Sequence, residues 1–282
     1  MNPTLKKELS VAACKIRIGA IEAVHAAKSG HPGGSLSAAD ILAYLYFNEM
    51  NIDPANPKMD DRDRFVLSKG HIAPGLYAAL ANRGFFPVEE LLTLRKIGSR
   101  LQGHPDMKKV PGVDMSTGSL GQGVSVAAGM AKAAKYMKRD VNVYTVLGDG
   151  EIAEGEVWEA FLFAAHYKLD NFCAIIDLNG LQIDGRTKDV MNTAPVSDKM
   201  AAFGFNVIEI DGHSFDEMEA AFANFHVCEG MPTCILMKTT KGKGVSYMTD
   251  SAEWHGKAPN DAEYEVAMGE LRAQLAELEA AK

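Results

Sequence analysis

One stretch, Val141–Gly185 (VNVYTVLGDGEIAEGEVWEAFLFAAHYKLDNFCAIIDLNGLQIDG), constrains this chain more than any other. It opens on an apolar, β-branched run, Val141–Leu147, which reads as a buried strand. The run halts at Gly148-Asp149-Gly150, where two glycines allow a sharp turn and a close approach of backbone to a ligand. Val157, Phe161, Leu162 and Ala165 then recur at helical spacing. A second apolar run, Phe172–Asp177, leads to Asn179. Asp149 and Asn179 therefore each sit just past the carboxyl end of a strand, which is where open α/β sheets bind ligands.

The chemistry of that pair is narrow. One carboxylate, one amide oxygen and a backbone carbonyl near Leu181 make a hard, all-oxygen set suited to Mg²⁺ or Ca²⁺, and Mg²⁺ leaves further positions for phosphate oxygens. The segment after Gly150 carries Glu151, Glu154, Glu156 and Glu159 and lacks the lysine of nucleotide phosphate loops. A diphosphate here would be held through the metal and through backbone N–H groups near a helix start. Gly-Asp-Gly alone is most often only a turn. The strand–turn–helix–strand context, with an asparagine at the next strand end, makes it a ligand site.

The same reading extends along the chain. Leu5, Leu9, Ala12, Ala13 and Ile16 share a face of a helix over residues 4–27. Ser37 and Asp40 read as a capping box for a helix to about Phe47. A short strand covers 65–68, a helix runs from Pro74 to Gly84, and another opens at Pro87 and ends near Gly98. Gly123, Ala127, Ala128 and Ala131 give the helix over 122–138 a small face for tight packing. Strands at 206–210 and 233–238 flank a helix over 215–227, and a Glu/Ala/Leu-rich helix begins at about residue 261, either as an appendage or as a docking element for a partner. Strands separated by helices predict an α/β fold with a mostly parallel central sheet and helices on both faces, residues 1–282 forming one domain.

Composition closes off other classes. A net charge of −8 without a long basic run argues against a nucleic-acid role. No apolar stretch reaches membrane-spanning length, and MNPTLKKELS lacks the apolar core of a signal peptide, so a cytoplasmic protein with no membrane role is expected. Cys14, Cys173, Cys228 and Cys234 have no Cys-x-x-Cys spacing and read as reduced core residues.

Four of the eight histidines, His31, His71, His104 and His255, lie in Gly/Pro-flanked loops. Their spacing matches no local zinc pattern. With an ordinary pKa of about 6.5, histidine suits proton traffic on sugar oxygens near neutrality. His25, His166, His226 and His213, the last in an Asp-Gly-His-Ser turn, read as structural.

Read in order, SGHPGG, LSKGH, GHPD, STGSLGQG, GDGEIAEGEVWEA, DLNGLQIDG and WHGKAP resemble the motifs of transketolases and span residues 29–259. The resemblance implies thiamine diphosphate and a divalent ion, Mg²⁺ or else Ca²⁺ or Mn²⁺. It puts Asp149, Asn179 and the Leu181 carbonyl on the metal. His71, Gly118, Ser119, Leu120, Gly150, Glu154, Ile183 and His255 would meet the cofactor, and Glu154 and Glu159 would join a carboxylate network at a subunit interface. His31, His71, His104 and His255 would line the substrate channel and act in catalysis. Two departures are Ser119, where many relatives have proline, and Lys241-Gly242-Lys243-Gly244, where relatives often have an apolar residue.

A full-length transketolase continues into a pyrimidine-binding half that carries the cofactor-activating glutamate and the arginines for sugar phosphate. The resemblance thus implies an N-terminal subunit that pairs with a C-terminal transketolase subunit, as an α₂β₂ assembly, to move a two-carbon unit between sugar phosphates. The α-type subunit of a 2-oxo acid dehydrogenase and a non-catalytic relative are the alternative expectations.

Overall fold

A computed structural model describes residues 1–281. Five strands form the central sheet: β1 (Arg64–Leu67), β2 (Val143–Gly148), β3 (Phe172–Leu178), β4 (Asn206–Asp211) and β5 (Thr233–Lys238), in the order β1-β2-β3-β5-β4. Every adjacent pair is parallel, so the five carboxyl ends share one edge. Tyr144 and Val146 of β2 enter one core, whereas Val143 and Leu147 enter the other. On β3, Cys173 and Ile175 likewise oppose Phe172, Ala174 and Ile176. A period of two with apolar residues on both sides is what a sheet covered on both faces requires, and it makes these strands read as unbroken apolar runs.

Five long helices pack about the sheet, α1 (Pro3–Ala27), α2 (Ala73–Arg83), α3 (Gln122–Tyr136), α4 (Gly155–His166) and α5 (Phe215–Val227), and a sixth, α6 (Asp261–Ala280), packs on α1. Leu9 and Ile16 of α1, Leu76 and Tyr77 of α2, and Phe222 and Phe225 of α5 fill the first core. Ala127 and Ala131 of α3 and Val157 and Phe161 of α4 fill the second. The small face of α3 lets it press on the end of β1: a Cβ at Gly123 would lie 2.7 Å from Ser68 Cα. Among the described residues no helix is long and apolar enough to cross a membrane.

The C-terminal helix packs on its own chain. Ala267, Met268 and Leu271 join Ile21, Leu36, Val245 and Trp254 in a third apolar cluster. A capping box starts the helix, with Glu263 N–H donating to Asn260 Oδ1 at 2.9 Å and Asn260 N–H to Glu263 Oε2 at 2.8 Å.

Four local expectations fail. Ser37 and Asp40 do not form a capping box. Two short helical segments, Pro32–Ser37 and Ala39–Tyr44, run into a π-helical turn, Leu45–Glu49, and burial turns both polar side chains toward partners elsewhere in the fold. The helix expected from Pro87 to Gly98 is only a 3₁₀ segment, Val88–Thr93, and the chain leaves helical geometry at Leu94, where ψ is 130°, and turns to a φ of 59° at Arg95. Leu162 faces solvent, because Ala160 and Ala164 take the inward positions of α4. Cys14, Cys173 and Cys234 are buried as expected, but Cys228 is only half-buried.

Candidate functional site

The loops after β2 and β3 are tied together by Asp149, which is only 4% exposed. Its Oδ1 accepts from Gly150 N–H at 2.9 Å and its Oδ2 from Gly180 N–H at 2.6 Å. Asn179 Oδ1 accepts from Leu181 N–H at 3.1 Å, and the Leu181 carbonyl accepts from Lys241 Nζ at 3.1 Å. Asp149, Asn179 and Leu181 all line one cavity of about 310 Å³ at the carboxyl edge of the sheet.

This donor set fits a divalent cation. Burial, and then the charge of Asp177, push the Asp149 carboxyl up to about 6, which the Gly180 N–H and the Lys69 and Lys241 charges offset only in part. The Lys241 ammonium already sits on the Leu181 carbonyl as a cation stand-in, although burial pulls its pKa down to about 8. Gln182 Oε1 is buried in the same cavity without a hydrogen-bond donor. Among the described residues no three His, Cys, Asp or Glu side chains converge into a metal cage, which leaves the one-carboxylate oxygen set as the candidate.

Beneath the cavity lies Asp177, fully buried at the end of β3. It takes an ion pair from Lys69, hydrogen bonds from the hydroxyls of Ser37 (2.7 Å) and Thr239, and one from Asn179 Nδ2 at 3.2 Å. Burial alone would raise its pKa; the Lys69 charge and these donors hold it low. Glu151 does similar work on the other side. Its Oε1 accepts from Ser68 Oγ at 2.5 Å and Gly121 N–H at 3.0 Å, and its Oε2 from Gly148 N–H at 3.0 Å. One carboxylate thus joins the end of β1, the Gly118–Gly123 loop and the Gly148–Gly150 turn.

Three of the four loop histidines form a cluster. The His31 and His71 rings are 5.1 Å apart, His31 and His255 5.4 Å, and His71 and His255 5.1 Å, and all three line the cavity. Burial is the main cause that takes His31 down to about 4, His255 to about 3 and His71 well below 6.5, so all three are neutral imidazoles at pH 7. Lys241 Nζ lies 2.8 Å from His255 Nδ1, and His31 Nδ1 is buried without a partner. His104 stands apart at the rim, exposed, with its ring 3.1 Å from where a Gly118 Cβ would be. Tyr77 Oη bonds the Gln102 and His104 carbonyls, both at 3.0 Å, and holds that loop in place.

Of the expected cofactor contacts, Gly118, Leu120, Gly150 and Ile183 line the cavity, and Ile183 is 62% exposed at its mouth. Ser119 and Glu154 are exposed and lie outside the lining, as does Glu159. His25, His213 and His226 pair with Asp261, Asp40 and Glu49 away from the cavity, and His166 is exposed on α4. Lys69, Lys241 and Gln182 line the cavity and Asp177 is buried beneath it, and motif reading passes over all four. The signal for Lys241 is its place in the departure from the usual loop, and Lys69 stands openly in LSKGH.

Residues 9–275 match the family described as "Transketolase, thiamine diphosphate binding domain". The chain is 46% identical over 245 residues to the 6-deoxy-6-sulfo-D-fructose transketolase subunit SqwG of Clostridium sp. (strain MSTE9), covering 87% of this chain and 89% of that one. It is 44% identical over 259 residues to an apulose-4-phosphate transketolase subunit of Phocaeicola vulgatus, covering 92% of each. The transketolase structure from Campylobacter jejuni superposes with a TM-score of 0.87 at 32% identity, over 99% of this chain and 46% of that one. The chain thus spans about nine-tenths of the two subunit relatives and under half of that transketolase. A match this long, in both sequence and fold, makes the chain a member of the transketolase family, in its thiamine diphosphate-binding domain.

Proposed function

We propose that this chain is the diphosphate-binding N-terminal subunit of a two-chain transketolase. The observation that carries the proposal is the meeting of Asp149, Asn179 and the Leu181 carbonyl with three neutral histidines in one cavity. Asp149, Asn179 and the Leu181 carbonyl would hold Mg²⁺, or Ca²⁺ or Mn²⁺ in its place. Gly150, His71, Gly118–Leu120, His255 and Lys241 would hold the cofactor, with Ile183 against its ring and Glu154 at its margin. When bound, thiamine diphosphate supplies the nucleophilic carbon and electron sink that carry a two-carbon glycolaldehyde unit from a ketose to an aldose.

The chain's own part is binding, orientation and proton handling. A neutral imidazole carries one lone pair and one N–H, so His31 and His71 can take a hydroxyl proton or return one. His31 Nδ1 is buried with its hydrogen-bonding capacity unspent. His255 Nδ1 accepts from the Lys241 ammonium, which puts its ring proton on Nε2, a donor toward the cavity. His104, at the rim, would meet the acceptor sugar. Lys241 offsets diphosphate charge, and Asp177 and Glu151 hold the loops in register.

A second chain, a C-terminal transketolase subunit, would supply the pyrimidine side, as an α₂β₂ assembly in the cytoplasm. Two relatives named as transketolase subunits, each matched over about nine-tenths of its length, support this. On this reading the chain works as one diphosphate-binding domain, with α6 as its tail. Pentose phosphates are the default substrates; the names of those two relatives favour a modified anionic ketose as the second reading. The test is calorimetry and turnover. The chain alone should bind thiamine diphosphate with Mg²⁺ yet turn over ketose only with the polypeptide that co-purifies with it. Substantial turnover by the chain alone, or no binding, refutes the proposal.

A further inference from the structure

The Asp-Gly-His-Ser turn after β4 takes no part in lining the cavity, yet its histidine reaches the segment that presents Lys241. Thr240 N–H donates to His213 Nε2 at 2.9 Å. The ring proton is therefore on Nδ1, where it is donated to Asp40 Oδ2 at 2.7 Å. Asp40 in turn is paired with Arg17, whose Nε donates to the Leu36 carbonyl at 3.3 Å. The side chains of Arg17, Asp40 and His213 are 5%, 8% and 13% exposed, so the chain of contacts runs through the interior.

The segment it meets is held at every residue. The Thr239 hydroxyl bonds Asp177, Thr240 bonds His213, Lys241 bonds the Leu181 carbonyl and His255, and Gly242 N–H donates to the Gly33 carbonyl at 3.0 Å. Among these fastenings, the His213 contact continues away from the cavity, through Asp40 to Arg17 of α1. A backbone pinned on both sides of Lys241 restricts where the ammonium can go, and an oriented ligand group depends on such outer partners.

We infer that His213, oriented by the Arg17–Asp40 pair, is a positioning residue that fixes the Thr240–Lys241 backbone and so sets where the Lys241 ammonium stands at the diphosphate end of the cavity. This rests on the reading of Lys241 as a cofactor-site residue. His213 acts only through the Thr240 amide and does not touch the ligand.

The test is a double-mutant cycle on the full chain, with thiamine diphosphate and Mg²⁺ measured by calorimetry well below the urea midpoint of each variant. His213→Ala should weaken affinity roughly 10-fold, the lower end of what loss of an outer partner brings. It should also speed hydrogen exchange at the Thr240 amide. His213→Gln keeps one donor and one acceptor, and should restore part of both. In a Lys241→Met background, His213→Ala should change affinity by less than about 2-fold, because coupled sites are not additive. Equal losses in both backgrounds, or no loss in either, overturn the positioning role alone. If Lys241→Met itself leaves affinity unchanged, the reading of Lys241 falls and the inference falls with it.

Discussion

Replacing Asp177 by asparagine should be among the most damaging single changes outside the cavity wall. The carboxylate is fully buried and meets four donors: the Lys69 ammonium, the Ser37 and Thr239 hydroxyls, and the Asn179 amide. Lys69 is 2% exposed and forms no other ion pair among the described residues, so the variant leaves its ammonium buried and uncompensated. Breaking a buried pair from one side costs about 3–5 kcal/mol. With a urea slope of about 3 kcal/mol per M for a chain this size, the unfolding midpoint should fall by about 1 M or more. A compensating double variant, Lys69→Met with Asp177→Leu, removes both charges. It should recover roughly half the loss, the remainder being the stranded Thr239 hydroxyl at about 1–3 kcal/mol. Ser37 keeps an acceptor in the Gly34 carbonyl at 3.1 Å. The measurement is urea unfolding followed by circular dichroism. A shift under about 1 kcal/mol for Asp177→Asn, or a double variant no more stable than the single, would refute the account of Asp177 as a charge-compensated hub.

Four further outcomes are expected. Asp149→Ala should abolish the Mg²⁺ dependence of thiamine diphosphate binding; calorimetry with and without the metal decides it, and retained dependence contradicts the ligand assignment. His104→Ala should lower turnover of the two-chain enzyme about 10²-fold or more while leaving cofactor affinity nearly unchanged, since its ring lies at the rim; steady-state kinetics alongside calorimetry test this. Gly123→Ala would push a Cβ to within 2.7 Å of Ser68 Cα, and overpacking of that kind should cost about 1–3 kcal/mol in urea unfolding. Apo-chain stability should decline as pH falls from 6.5 toward 4. Burial keeps His31 and His255 neutral in the fold, at about 4 and 3, while the unfolded chain takes up protons near 6.5. The sign follows from the unfolded state binding more protons in that window. His31→Gln should flatten the slope, and an unchanged slope would rule out His31 as a contributor.

What the sequence made legible has a common cause. The Gly148-Asp149-Gly150 turn and Asn179 are local signals, each a polar residue placed just after an apolar run, and the parallel sheet followed from those runs. The histidines were visible as loop residues, but only the fold brings His31, His71 and His255 within ring contact and leaves His104 outside. Asp177 was hidden because it ends a strand otherwise made of apolar residues, and its partner Lys69 lies 108 positions away. Glu151 was hidden among three other glutamates; only the approach of Ser68 and Gly121 buries it. Asp40 misled because Ser and Asp at that spacing favour a helix start, whereas here burial against Arg17 and His213 decides the side chain's direction.

The alternation of core side chains stops where the strands stop, and the polar groups of the cavity hang on the connections beyond them. Stability and recognition are therefore written in different parts of the chain. Exchanging only the short turns that directly follow β1, β2, β3 and β5 between relatives that act on different sugars should retune substrate choice without disturbing the apolar layers below. A scaffold arranged this way can change its diet while keeping its skeleton.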